Sequence, residues 1–366
     1  MKFIFILFLI SALYILVQQF KIAFRLLKHR KLSLDSESQS IPVSIIICAK
    51  NEESNLSKNL LSVLEQSYSQ FETLIVDDNS TDSTSEVVQE LQKQFANLRL
   101  IKSEAESSNS KRIALKMGVL SSKYDLLLLT DADCKPVSKE WISSMVNQIS
   151  ESKSCVLGYS PYTRHSSFLN LIIQFETLQT AGLYLTQAIK NKAYMSVGRN
   201  VMYSKDLFLK SENFDNEEQL TSGDDDLLIQ SVEDKSQITV CLDPESFVLS
   251  QPKTTWSTWW KQKLRHYSTA VHYSIKSQLF LGTHHFFQLA FWISFLILAF
   301  SQYSKTAVMI LLIALVIKSL SIISYARVLK VSKQVLLLWP ILEACLLILQ
   351  LGLGIHDKFQ KQKTWQ

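Results

Sequence analysis

Carboxylates dominate the chemistry-bearing residues of this chain, and they cluster. Asp131 and Asp133 stand one residue apart, directly after the apolar run LLLLT. In an extended chain that spacing puts both carboxylates on one side. Hard paired oxygens suit Mg²⁺ or Mn²⁺, which bind through one or two carboxylates plus substrate phosphates. Two further clusters, AKNEE (49–53) and DDNSTD (77–82), also follow apolar runs. A fourth, Gly223-Asp224-Asp225-Asp226, opens the stretch DLLIQSV. A positioned carboxylate there can take a proton from an attacking hydroxyl. The same acids also suit a helix N-terminus, so Asp224, Asp225 and Asp226 stay open as candidates.

These residues need a scaffold, and the pattern around them supplies one. VSIIIC (43–48), TLIVDD (73–78), LRLIKS (98–103) and DLLLLTDAD (125–133) read as short strands. Helical periods fall between them: Leu56, Leu60, Val63 and Leu64 share one face, and two more stretches run over 82–95 and 110–121. Such alternation predicts an α/β fold with a mostly parallel sheet, whose doubly covered strands read as continuous apolar runs. Ligands of open α/β sheets bind beyond the carboxyl ends of the strands. Seven Asp and Glu fall at three of those exits, at 52, 53, 77, 78, 82, 131 and 133. Neither G-x-G-x-x-G nor G-x-x-x-x-G-K-[ST] occurs, so dinucleotide and P-loop sites lose support, and a metal-bridged phosphate ligand takes their place.

Taken in order, PVSIIICAKNEESNL, IVDDNSTDST, SKRIALKMG and LLLLTDADCKP resemble the nucleotide-diphospho-sugar domain of family-two glycosyltransferases, which have the GT-A fold (a Rossmann-like, mostly parallel sheet). SGDDDLL (222–228) resembles the family's segment carrying the catalytic base. KQKLRHY (261–267) resembles the Q-x-x-R-W segment of membrane-embedded members. The likeness covers about 42–270. It implies that Asp78 contacts the nucleoside with Glu52 beside it, and that Lys111 approaches the nucleotide. The family has Gly-Lys where this chain has Ser110-Lys111. It further implies that Asp131 and Asp133 hold the cation against the diphosphate, Asp133 directly, and that Asp225, with Asp224 adjacent, is the base. Gln262, Arg265 and His266 fill the Q-x-x-R segment; His266 stands where the family has Trp, which puts acceptor stacking there in doubt. VGRN (197–200) resembles a segment near the acceptor site. Simpler roles compete: a turn for Asp78, a first-turn helix acid for Glu52, a solvated lysine for Lys111.

The ends of the chain have another character. Residues 1–34 hold six Lys/Arg and no acid; 35–250 hold 19 basic and 31 acidic residues, net −12; 251–366 hold 13 basic and two acidic, net +11. The overall +5 hides this division. Residues 3–17 are nearly all apolar and no small-x-small cleavage site follows, which predicts an anchor rather than a signal peptide. The basic flank after it predicts that residue 25 onward faces the cytoplasm. Three more apolar runs, about 284–302, 306–326 and 334–355, approach or exceed bilayer length. Lys318, Pro340 and Glu343 interrupt them and should face other helices or a watery cavity. Four spans would leave KFQKQK outside, against the positive-inside tendency. FLNLIIQFETLQTAGLYL (168–185) carries too many polar groups to span comfortably and should lie on the membrane or pack in the domain. Trp256, Trp259 and Trp260 offer sugar-stacking or membrane-interface surface.

The organisation expected is therefore an anchor over 1–24, a basic and polar linker over 25–41 and a GT-A domain over 42–250. An amphipathic interface helix (251–280), three transmembrane helices (281–356) and a basic tail (357–366) follow. Composition excludes a disordered chain, a disulfide scaffold and a strongly basic nucleic-acid binder. The five Cys lack paired spacing and read as reduced thiols. The expectation is an integral protein of a bacterial plasma membrane with its catalytic domain cytoplasmic. It would be a metal-dependent, inverting sugar transferase that takes a nucleotide-diphospho-sugar and a lipid-linked or glycan acceptor at the bilayer. A processive polysaccharide synthase is the alternative. A sugar-nucleotide pyrophosphorylase would carry a Gly-rich loop at the first strand, where AKNEES has no Gly. A non-catalytic membrane scaffold would be expected to lose the acids.

Overall fold

The structure is a computed structural model, and it describes residues 1–33, 40–103, 111–210 and 224–359. Helix α1 (Lys2–Ser33) is followed by β1 (Val43–Ala49), α2 (Glu53–Leu64), β2 (Phe71–Asp77), α3 (Thr84–Gln92), β3 (Leu98–Lys102), α4 (Lys111–Ser121) and β4 (Leu126–Leu129). Next come β5 (Cys134–Pro136), α5 (Trp141–Val146), β6 (Cys155–Leu157), α6 (Phe168–Ile189), β7 (Val201–Ser204), α7 (Lys205–Leu209), α8 (Asp224–Ser231), β8 (Ile238–Val240) and β9 (Val248–Ser250). Four helices close the chain: α9 (Trp256–Ala270), α10 (Ile275–Ala299), α11 (Ser304–Val328) and α12 (Lys333–Phe359).

Among the described residues a seven-stranded sheet runs β3-β2-β1-β4-β7-β6-β8. β3, β2, β1 and β4 are parallel, as the strand–helix alternation predicts. β7 is antiparallel to both β4 and β6, which the sequence pattern did not signal. Its four residues are too few to show a period. β5 and β9 form a second, antiparallel pair.

Burial on both faces explains the apolar strands. On β1, Val43, Ile45 and Ile47 enter the core beneath α2, while Ile46 enters the core shared with α4 and α6. Each fully buried Ile contributes roughly 1.5–3 kcal/mol. α2 buries Leu56, Leu60, Val63 and Leu64, the face its period predicts. Gly118 lets α4 approach the sheet closely: a Cβ there would meet Ile46 Cγ2 at 2.7 Å.

Register brings the strand exits level. Ala49 pairs with Asp77, and the Asp78 N–H donates to the Ala49 carbonyl at 2.8 Å. The Thr130 N–H reaches the Ile46 carbonyl at 3.3 Å. The first two exit loops are then laced together. Asn51 and Asn79 both adopt φ of 55°, the left-handed region that Asn tolerates. Asn51 Oδ1 accepts from the Thr81 N–H at 2.8 Å, and the Glu52 N–H donates to Thr84 Oγ1 at 2.8 Å.

Four helices, α1, α10, α11 and most of α12, are long and apolar enough to cross a membrane. α1 is continuous to Ser33, beyond the residue-24 limit expected from composition. Its basic second half still has an apolar face: Ile22, Ala23 and Leu26 are buried in the core that includes α6. His29 also hydrogen-bonds the Val240 carbonyl at 2.9 Å, tying α1 to β8. α6 packs in the domain against α1 and α12. Polar residues within the apolar helices meet one another. Tyr325 donates to Gln19 at 3.2 Å, and Trp339 donates to Ser319 at 3.0 Å. Lys318 pairs with Glu343, both nearly fully buried, so the two interruptions of the apolar runs satisfy each other.

Candidate active site

A cavity of about 1270 Å³ opens at the strand exits and continues onto α6, α10 and α12. Of the residues expected there, Glu52, Asp78, Lys111, Asp131, Asp133 and Asp225 line it. So do Gln262, Arg265 and His266. The structure describes the backbone of Asp224 at the start of α8, while its side chain, Ser110 and Gly223 lie outside the described residues.

The seven strand-exit acids separate into two groups. Asp77 is structural: its carboxylate accepts from the Ser80 N–H at 2.9 Å and from Ser85 Oγ at 2.5 Å. Asp82 accepts from the Glu53 N–H at 3.2 Å and from Thr84 Oγ1 at 2.5 Å. Glu53 accepts from the Ser83 N–H at 3.4 Å and stays outside the cavity lining. Asp78, by contrast, is 1% exposed, and neither of its carboxylate oxygens makes a hydrogen bond among the described residues. Lys50 Nζ approaches it at 3.8 Å. Burial pushes the Asp78 carboxyl up, the Lys50 ammonium opposes this, and Asp77 adds to the rise. Glu52 also lies above the ordinary range. Burial is the main cause, Asn55 Nδ2 opposes it with a 2.6 Å hydrogen bond, and Asp133 and Asp131 add to the rise.

Asp131 and Asp133 differ although only Ala132 separates them. Lys111 Nζ donates to Asp131 Oδ1 at 2.5 Å. Desolvation would raise Asp131, but Lys111, Arg199 and Arg265 hold it below the ordinary carboxylate range. Asp133 is raised, first by burial and then by Asp131. Two close carboxylates repel each other, and a cation between them would relieve that repulsion. Ligand atoms of Asp131, Asp133 and Cys134 lie within 4.8 Å of one another. The Cys134 thiol, pushed well up by burial and by both acids, donates to Asp133 Oδ1 at 3.2 Å, so it serves as a hydrogen-bond donor. What remains is a two-carboxylate oxygen set, which fits Mg²⁺ or Mn²⁺.

Across the cavity, Asp225 Oδ2 accepts from the Gly198 N–H at 2.5 Å. Burial raises the Asp225 carboxyl, while Lys111 and the Gly198 amide oppose the rise. Asp226 accepts from the Ser196 N–H at 3.2 Å and from the Tyr273 hydroxyl. Both acids line the cavity, and the charges of Lys111 and Asp131 act on Asp225.

Arg199 lines the same wall, although only the weak VGRN resemblance pointed to it. It donates to Ser160 Oγ at 2.8 Å and stacks 4.6 Å over the Tyr162 ring. Ser160 and Tyr162 belong to no motif, and nothing in the sequence singles them out. Behind them Asn200 is fully buried and accepts from Trp141 Nε1 at 3.0 Å, so the last VGRN residue is structural. Arg265 is close enough to Asp131 for each charge to bias the other, and burial lowers the Arg265 guanidinium. His266 sits well below the ordinary imidazole range, through burial in the cavity wall and then through Lys263, Arg265 and Arg199. The three Trp of α9 divide: Trp259 is fully buried, Trp260 donates to His356 of α12 at 2.8 Å, and Trp256 is exposed. Trp259 is therefore core rather than sugar-stacking or interface surface.

Known proteins resemble parts of this chain. Residues 44–211 match the profile of Glycosyl transferase family 2. The Beta-monoglucosyldiacylglycerol synthase of Nostoc sp. is 37% identical over 103 residues, 27% of this chain and 22% of its own length. Glycosyltransferase AglE of Haloferax volcanii is 35% identical over 119 residues, 32% of this chain and 38% of its own. The chain thus aligns with well under half of these relatives. The structure of the mannosyltransferase PcManGT from Pyrobaculum calidifontis, in complex with GDP-Man and Mn²⁺, superposes with a TM-score of 0.53 at 16% identity, over 96% of this chain and 99% of that one. That likeness is one of fold. The chain therefore carries a glycosyl transferase family 2 domain on a GT-A fold, set among helices long and apolar enough to cross a membrane.

Proposed function

We propose that this protein transfers a sugar from a nucleotide-diphospho-sugar to a hydroxyl of a membrane-proximal acceptor, lipid-linked or glycan, with inversion at the anomeric carbon. One observation carries this reading. Asp225 and the Asp131/Asp133 pair face one cavity, and the Lys111 charge acts on both Asp131 and Asp225. Asp225 takes the acceptor proton as the hydroxyl oxygen bonds to the anomeric carbon, and the bond to the nucleoside diphosphate breaks on the opposite side. A raised carboxyl is a better proton acceptor than an ordinary one. Asp133 and Asp131 would hold Mg²⁺ or Mn²⁺, whose charge offsets that of the departing diphosphate. Lys111 and Arg265 add positive charge on the same wall, and Arg suits a diphosphate bidentately. Asp78, with its unused buried oxygens, suits the nucleoside N–H groups, and Glu52 lies beside it. Gln262 and His266 border the acceptor side.

Relatives named for lipid and polysaccharide products, among them the Nostoc synthase, a hyaluronan synthase and a poly-beta-1,6-N-acetyl-D-glucosamine synthase, support either kind of acceptor. The basic flank of α1 supports a catalytic domain on the cytoplasmic face of a bacterial plasma membrane. The test is nucleoside diphosphate release by the full chain across a panel of sugar nucleotides, with and without acceptor lipids. Asp225→Asn should still bind the donor with Mn²⁺, read as a thermal shift, while losing turnover. Turnover that survives would place the base elsewhere.

A further inference from the structure

Beyond the charged mouth, the cavity wall changes character. On α10, His284 and Gln288 lie four residues apart, hence on one helix face, and both line the cavity. They are 4% and 2% exposed. His284 Nδ1 and Gln288 Nε2 make no hydrogen bond among the described residues. Buried polar atoms are nearly always paired, so two unpaired atoms on one face of a helix, with His285 beside them in the cavity lining, point to a ligand. Their surroundings define its chemistry. Gln179 and Thr180 of α6 and Gln350 of α12 add neutral polar groups, and Leu281, Leu289 and Leu346 add apolar surface. The lysines that line the cavity are engaged elsewhere: Lys263 Nζ lies 2.7 Å from Glu176, Lys111 Nζ 2.5 Å from Asp131 and Lys50 Nζ 3.8 Å from Asp78, while the Lys253 charge acts on Glu52 at the strand exits. A phosphate would therefore lack an uncommitted lysine here.

We infer that this inner chamber binds the hydroxyl-bearing head of a neutral glycerolipid, with His284 and Gln288 as its hydrogen-bonding contacts. Calling that lipid the acceptor rests on the function proposed above; its binding does not. The hydroxyl lies in the same cavity as Asp225, and its apolar chains follow the leucines toward the lipid-facing helices.

The experiment uses the full chain in detergent, with dioctanoylglycerol as the probe and farnesyl phosphate as the charged comparison. Dioctanoylglycerol should raise the melting temperature by mass action. His284→Leu and Gln288→Leu should each demand about ten-fold more of it for the same shift. Both replacements remove an unpaired buried polar atom, so both variants should melt at or above the parent temperature without ligand. Asp225→Asn should keep the dioctanoylglycerol shift, which separates this proposal from the catalytic one. If both leucine variants respond like the parent, or if farnesyl phosphate stabilises the chain and dioctanoylglycerol does not, the proposal is overturned.

Discussion

The Gly198 amide points into the Asp225 carboxylate at 2.5 Å, and a Cβ at position 198 would stand 3.3 Å from that same carboxylate. The contact fixes the proposed base, and a larger residue at 198 fits only if the carboxylate gives way. Gly198→Ala should displace Asp225 by a few tenths of an ångström. Since a misplacement near 1 Å can cost about 100-fold in rate, a loss of roughly ten-fold in kcat is expected. The donor KM should change little. An unchanged kcat would mean that Asp225 is not the group being positioned.

Asp225→Asn keeps the shape and removes the proton acceptor. General-base assistance accounts for about 10²–10⁴ in rate, so kcat should fall by that order. Single-turnover kinetics on the purified chain would measure it.

The pH profile carries a signed expectation. Burial raises the Asp225 carboxyl, and Lys111 restrains the rise. The base must be ionised, so kcat/KM should fall with acid at a pH above the ordinary carboxylate value of about 3.9. Lys111→Met removes the restraining charge and should move that limb higher still. A limb that moves down would contradict the assignment. Stability runs the other way. The folded state holds this proton more tightly than the unfolded chain, so the group's contribution is fullest below the unfolded pKa and is lost as pH rises through the folded one.

Asp133→Ala removes one of two carboxylates from the cation site. Mn²⁺-dependent stabilisation by nucleoside diphosphate should disappear, and transfer with it. EDTA should do the same to the parent protein and spare the Asp133→Ala melting curve. Full metal-dependent activity in the variant would move the site elsewhere.

Lys318 and Glu343 are 6% and 3% exposed and pair between α11 and α12, with the Trp339 ring 5.1 Å from the ammonium. Breaking a buried pair by removing one member costs about 3–5 kcal/mol, because the other charge is left unpaired. Lys318→Met or Glu343→Leu should each lower the melting temperature in detergent. The double variant Lys318→Met/Glu343→Leu should recover most of the loss. Additive losses would show that the pair is not coupled.

Much of this protein was legible in one dimension because its signals are local. The parallel strands, the face of α2 and the apolar helices each follow from a short-range period, and the strand-exit acids from their place after apolar runs. The glycosyl transferase family 2 domain could be read from motif order, since each motif is a contiguous segment. Sorting those acids was a tertiary matter. Asp77 and Asp82 differ from Asp78 only in which loop hydroxyls and amides reach them, and the level register of β1 and β2 decides that. The pairing of Gly198 with Asp225 joins segments 27 residues apart, and that of Lys318 with Glu343 joins two helices. Ser160 and Tyr162 carry no motif, and they meet Arg199 of VGRN only when the antiparallel β7 inserts beside β4. His284 and Gln288 look like incidental polar residues of a long helix until the fold leaves them buried and lining the cavity. Sequence records what each segment prefers, but which unpaired groups share a cavity depends on contacts between segments distant along the chain.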